Sequence, residues 1–219
     1  MKKTILFIFA VLIMPFAAAC EKEEGLIPYV SEIRSDVLTG QSENYSVKAY
    51  VLKSETPLSD DGTAGSLAPY IRFFLKVKDL NAVYRIDFSI GEKNYSCTPA
   101  IDPATGEFIA TAETESLPAA TLTVNVCCGG LTETAELNSI VPETALTPQA
   151  VLDAVYLKNP DLFNSYNNEE GKFCAEIRIK ITVKDGKPYY FFGILDGKSR
   201  KAFLADGYTG EVLAVRNVF

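Results

Sequence analysis

Apolar and polar side chains alternate through much of this chain. The run 45–51 sets Tyr45, Val47, Ala49 and Val51 on one side, 84–90 does the same with Tyr84, Ile86, Phe88 and Ile90, and 122–126 with Leu122, Val124 and Val126. Successive side chains of a strand face opposite sides of its sheet, so a period of two predicts half-buried strands. Turn-forming clusters separate the runs: Asp60-Asp61-Gly62, Asp79-Leu80-Asn81, Gly91-Glu92-Lys93-Asn94, Asp102-Pro103-Ala104-Thr105-Gly106 and Gly129-Gly130. Short strands at this spacing, with no helical period among them, predict an antiparallel β-sandwich over residues 26–141.

Residues 142–146 are expected to form a linker. Thr147 followed by Pro148 is a helix start, because a threonine hydroxyl can cap free backbone N–H groups and proline suits the first helical position. Val151, Leu152, Val155 and Tyr156 then supply one apolar face, Asn159-Pro160 ends the helix, and 161–166 predicts a second short one. After Gly171 the period of two returns. Phe173, Ala175, Ile177, Ile179, Ile181 and Val183 face one way; Cys174, Glu176, Arg178, Lys180 and Thr182 face the other. Asp185-Gly186 and Asp196-Gly197-Lys198 predict turns between the remaining strands. The fold expected is mainly β: an N-terminal antiparallel β-sandwich, then a small α+β domain over 147–219 with helix packed on an antiparallel sheet.

The first residues have a different logic. Met1-Lys2-Lys3 is a short basic start, 4–16 is apolar, and Ala17-Ala18-Ala19 precedes Cys20. That apolar stretch is shorter than the ~20 residues of a spanning helix, which predicts a signal peptide over 1–19. Small residues directly before a cysteine, with the charged run 21–24 after it, resemble a bacterial lipoprotein processing site. The family pattern prefers leucine where Ala17 stands, so cleavage after Ala19 into a secreted protein is the alternative. The resemblance implies a thioether-linked diacylglyceride on Cys20, a lipidated tether over 20–25, and anchoring at the outer face of the bacterial cytoplasmic membrane or cell envelope.

The chain has 219 residues, of which 21 are basic and 28 acidic, for a net charge of −7. An acidic exterior repels phosphate backbones and anionic headgroups, so nucleic acid is not expected as a partner and membrane attachment must come from the lipid. Histidine is absent. This excludes the usual general base near neutral pH and the Ser/His and Cys/His nucleophile arrangements.

The closing run Ala202-Phe203-Leu204-Ala205-Asp206-Gly207-Tyr208-Thr209-Gly210-Glu211-Val212-Leu213, with a helix ahead of the sheet, resembles a PepSY-type domain over 147–219. The resemblance implies an extracytoplasmic regulatory or binding module that brings no catalytic residues. The segment 26–141 resembles an immunoglobulin-like domain in layout only, lacking a tryptophan. Asp102-Pro103-Ala104-Thr105-Gly106-Glu107 repeats the Asp-x-x-Thr-Gly-Glu pattern outside the PepSY-like segment. The motif is therefore first a tight turn, with aspartate accepting backbone hydrogen bonds and glycine supplying positive φ.

Other candidates are sparse. Cys97, Cys127, Cys128 and Cys174 allow up to two disulfides in an exported chain or stay as structural thiols, and zinc is not expected without histidine or C-x-x-C spacing. Ser59-Asp60-Asp61-Gly62 offers oxygen ligands but lacks EF-hand spacing; Glu113 with Glu115, and Glu169-Glu170, would need a shaped cleft to act as paired carboxylates. The densest aromatic run is Tyr189-Tyr190-Phe191-Phe192. On a strand two of its rings face the helix and two the other side, which forms a partner surface unless the sandwich packs over it. The expectation is thus a surface-anchored, non-enzymatic lipoprotein without cofactor, binding or regulating an extracytoplasmic protein or peptide partner, a peptidase among the candidates. The alternatives are a solute-capture lipoprotein and a carboxylate-based envelope hydrolase.

Overall fold

A computed structural model describes residues 25–218, so the segment expected to be a signal peptide, Cys20 and the expected tether through Glu24 lie outside the described residues. After a single 3-10 turn at Ile27–Tyr29 come strands β1 (Val30–Gln41), β2 (Ser46–Ser54), β3 (Ala68–Lys76), β4 (Tyr84–Ile90), β5 (Lys93–Cys97), β6 (Ala100–Ile101), β7 (Phe108–Glu113), β8 (Thr121–Cys128) and β9 (Leu131–Ser139). Helices α1 (Pro148–Lys158) and α2 (Asp161–Asn164) follow, then β10 (Glu176–Lys184), β11 (Lys187–Leu195), β12 (Arg200–Asp206) and β13 (Val212–Val218). The chain is mainly β, and its strands join into one large curled sheet.

The hydrogen-bonded path runs β13-β12-β11-β10-β1-β2-β3-β7-β6, and a second arm, β9-β8-β4-β5, leaves from β1. Every pairing is antiparallel except β1 with β10. The period of two places the apolar set of each strand on one side. Val47, Ala49, Val51, Ile71, Phe73 and Leu75 of one arm meet Tyr84, Ile86, Phe88, Val124, Val126, Ala135 and Leu137 of the other, forming a first core. A second core gathers Val151, Leu152 and Val155 of α1 and Phe163 of α2 over Ile177, Ile179, Ile181, Tyr190, Phe192, Phe203 and Ala205.

Strand β1 belongs to both cores. Val37 lies in the second and its neighbour Leu38 in the first, and Val30 and Ile33 pack with Ile177 and Ile179 of the C-terminal half. The parallel β1–β10 pairing thus crosses the boundary expected at 142–146. It has no local sequence signal, because parallel neighbours need only a long connection and carry no turn between them.

The helix start is as the sequence predicts. The Thr147 Oγ1 accepts from the Ala150 N–H at 3.2 Å, Pro148 opens α1, and Val151, Leu152 and Val155 are fully buried. The two Asp-x-x-Thr-Gly-Glu segments are the same turn. In each, the aspartate N–H donates to the glutamate carbonyl (2.8 Å for Asp102, 2.9 Å for Asp206) and the glycine N–H returns to the aspartate carbonyl. Gly106 and Gly210 hold φ of 70° and 69°, a region costly to any residue with a Cβ. Among the described residues no helix is long and apolar enough to cross a membrane.

Candidate functional site

The aromatic run lies in β11, and alternation divides it. Phe192 is buried and stacks on Phe203 with ring centroids 4.7 Å apart, while Tyr190 is buried with its hydroxyl donating to the Leu146 carbonyl at 2.7 Å. Burial, reinforced by the charge of Asp36, pushes the Tyr190 phenol well above its ordinary pKa. These two rings belong to the second core, on the side of the sheet that α1 and α2 cover. Phe191 is 45% exposed and Tyr189 half-buried on the other side.

Registered neighbours define the surroundings of Phe191. It lies directly between Lys180 of β10 and Leu204 of β12, and Leu204 is in turn opposite Ala214 of β13. Lys180 is tethered by an ion pair to Glu32 of β1, 2.6 Å away. The next pair on that side is Arg178 with Gly193, and Arg178 anchors a small ionic cluster. Its guanidinium, 12% exposed, contacts the Glu176 carboxylate at 2.8 Å, donates to the Ser59 carbonyl at 2.6 Å and pairs with Asp60. Asp60 also binds Arg200 at 2.8 Å.

These contacts fasten the β2–β3 loop, 55–67, across the sheet. Glu55, itself buried, accepts from the N–H groups of Ser59 (3.3 Å) and Gly65 (2.6 Å) and so shapes the loop from within. Gly62, at φ 84°, presses on the β11–β12 turn, where a Cβ would stand 2.7 Å from the Asp196 carbonyl carbon. Glu176 is fully buried, with Oε1 on Arg178 and Oε2 without a partner. Burial raises its pKa, opposed by the Arg178 charge and reinforced by Glu55. A buried carboxyl with a raised pKa is a feature shared by catalytic sites and structural ion clusters. Here the cluster is closed under a loop, and through Asp60 it ties that loop to β10 and β12, the two neighbours of the strand that carries Phe191.

The remaining candidates have structural partners. Asp60 is occupied by the two arginines, and Asp61 Oδ1 accepts from the Thr63 N–H at 2.9 Å in its own turn. Glu113 accepts from the Tyr70 hydroxyl at 3.2 Å, and Glu115 pairs with Lys93 at 2.9 Å. Glu170 lies in a turn where its N–H donates to Asn168. Among the described residues no group of three or more Cys, Asp or Glu could hold a metal ion. Cys97, Cys127, Cys128 and Cys174 are free thiols. Strand β4 lies between Cys97 on β5 and the Cys127-Cys128 pair on β8. Burial pushes the Cys97 thiol up to about 11.

Sequence reasoning missed the ionic cluster. Glu176, Arg178 and Lys180 read as the polar side of an amphipathic strand, which they are, but the partners of Arg178 and Lys180 on the loop and on β1 lie 118 or more residues away. The one available signal was the string of three charged residues on a strand otherwise as apolar as a core strand. Set against known proteins, the chain matches no family model, no curated protein and no solved structure.

Proposed function

We propose that this protein is a lipid-anchored, non-enzymatic lipoprotein of the bacterial envelope whose β10–β13 sheet presents a binding surface to an extracytoplasmic protein or peptide. Cys20 carries the diacylglyceride, and the two modules are a β-sandwich around the first core and a PepSY-like α+β unit around the second. The single observation carrying the binding role is Phe191, a phenylalanine 45% exposed mid-strand between Lys180 and Leu204. Large aromatic rings are favoured at the centre of protein interfaces, where they bury the most area. The pinned loop and ion pairs beside it hold that ring on rigid strands, which lowers the entropy cost of binding.

Two measurements test this reading. Cells fed labelled palmitate are expected to label the wild-type protein and leave Cys20→Ala unlabelled; label on neither form removes the anchor. The lipid-free chain, immobilised, is expected to retain an envelope protein that Phe191→Ser fails to retain. Equal retention by both removes the surface.

A further inference from the structure

The sheet face that carries Phe191 continues across β1 onto β2 and β3. Lys180, beside Phe191, is in register with Arg34 of β1, and Arg34 with Leu52 of β2. Alternate residues of β2 and β3, among them Val51 and Phe73, enter the first core, so Lys48, Tyr50, Arg72 and Phe74 face away from it. There cations and rings interleave. Arg34 lies over the Tyr50 ring, 4.0 Å from its centroid, and Lys48 lies 4.6 Å from the centroid of Phe74. The two rings meet edge to face at 4.8 Å. Arg72 is opposite Tyr50 in register and donates from Nε to the Thr111 Oγ1 at 3.2 Å.

These charges are not neutralised within the described part of the chain. Acidic residues outnumber basic ones by 28 to 21, yet among the described residues Arg34, Lys48 and Arg72 have no carboxylate partner. Glu32, whose charge reaches Arg34, is bound to Lys180 at 2.6 Å. Burial lowers the Arg34 pKa, the Arg72 charge lowers it further, and the Arg34 Nε is buried without a hydrogen-bond partner. A ring face attracts a guanidinium but gives its N–H groups no strong acceptor, so stacking holds the cation and leaves donors unused. Such a group is stabilised by an incoming carboxylate, through charge-assisted hydrogen bonds.

We infer that this face, from Phe191 to Phe74, binds an acidic segment of the protein partner, an extended stretch in which carboxylates alternate with apolar side chains. The inference rests on the partner-binding reading of Phe191 and gives that partner its chemistry. Phe191 at one end and the Tyr50–Phe74 pair at the other receive apolar side chains, and Arg34, Arg72 and Lys48 receive carboxylates. Four strand spacings of ~4.8 Å separate β11 from β3, so about six extended residues at ~3.3 Å each cover the distance. Aromatic residues and arginine are the types that contribute most at protein interfaces. A bare polyanion would meet the cations and leave the rings uncovered.

The probe is the hexapeptide Phe-Glu-Val-Glu-Tyr-Glu carrying an uncharged fluorophore, titrated against the lipid-free chain, residues 21–219, by fluorescence anisotropy. A copy with glutamine for every glutamate should bind about tenfold more weakly or worse, since it loses the charge-assisted bonds. Raising salt from ~50 mM to ~500 mM should weaken the acidic peptide and leave the glutamine copy unchanged. Arg34→Gln and Arg72→Gln should each lose about tenfold in affinity. Arg85→Gln, which removes a cation already paired with Asp87 on β4, should lose nothing. Should Arg34→Gln fail to fold, Arg72→Gln carries the test. No binding of the acidic peptide, equal binding of the glutamine copy, indifference to salt, or an equal loss in Arg85→Gln would each overturn the inference. So would phosphatidylglycerol vesicles or polyphosphate binding the chain in place of the peptide. If capture of an envelope protein still depends on Phe191 after such a failure, the acidic segment is removed and the binding role stands. If capture does not depend on Phe191 either, the binding role falls as well.

Discussion

Replacing Arg178 with methionine tests the ionic cluster. The substitution keeps most of the aliphatic stem, so packing changes little, but it removes the charge 2.8 Å from a carboxylate that has no exposed surface. Breaking a buried pair from one side costs about 3–5 kcal/mol, because the remaining charge stays desolvated and unpaired. That is a large fraction of the roughly 5–15 kcal/mol by which domains are stable. The cost has a pH signature. Glu176 already titrates above its unfolded value, so its protonated form is the one the fold favours, and stability from this group is present at low pH and lost as pH rises through its folded pKa. Arg178 opposes that shift, so its removal moves the folded pKa higher still. The variant's deficit against wild type should be greatest at pH 7.5 and shrink toward pH 5, where Glu176 can fold protonated. Urea denaturation of the lipid-free chain at both pH values measures this, with Glu176→Gln/Arg178→Met as the partner variant. Removing both charges should recover more than half of the loss, since no unpaired ion remains. A deficit below about 0.5 kcal/mol, the size of an ordinary surface substitution, would refute the reasoning. So would a deficit independent of pH, or a double variant no better than Arg178→Met.

Three further outcomes follow from named contacts. Thr147→Ala should lower stability by about 1 kcal/mol in the same urea assay, because the Ala150 N–H loses its cap. Gly210→Ala should cost clearly more than Gly106→Ala although both hold φ near 70°: an added Cβ at Gly210 stands 2.7 Å from the Ala154 Cβ on α1, and at Gly106 it meets open space. The strain common to both is about 1–2 kcal/mol, so equal losses in thermal or urea unfolding would contradict the packing of this turn on the helix. Iodoacetamide at pH 8 should alkylate exposed Cys174 well before Cys97, whose rate should keep rising as pH approaches about 11, and mass spectrometry of timed samples reads both.

Much of the local structure was legible because it follows from short-range rules. Alternation located the strands, since a strand's side chains face opposite ways whatever the sheet it joins. Thr147-Pro148 located α1 through a cap satisfied within three residues, and the repeated Asp-x-x-Thr-Gly-Glu pattern turned out to be one turn used twice, wired alike at 102–107 and 206–211. That shared wiring also shows why the motif is a poor badge of descent: its residues serve the turn itself. The aromatic run was half legible. Alternation required that two rings face each way, but whether Phe191 or Tyr190 met solvent depended on which side α1 and α2 cover.

What the sequence by itself determined is the list of elements: where strands, turns and the main helix lie, and which side of each is apolar. Only the tertiary structure decided that β1 runs parallel to β10 and serves two cores, that the loop 55–67 seals Glu176 and Arg178 against the sheet, and that the β4–β8 ladder ends at Phe88. The physical reason is range. Backbone conformation and side-chain period are set by neighbours within a few residues, whereas strand order, the partner of a buried charge and the end of a ladder depend on segments far apart in sequence, brought together by burying the same apolar area.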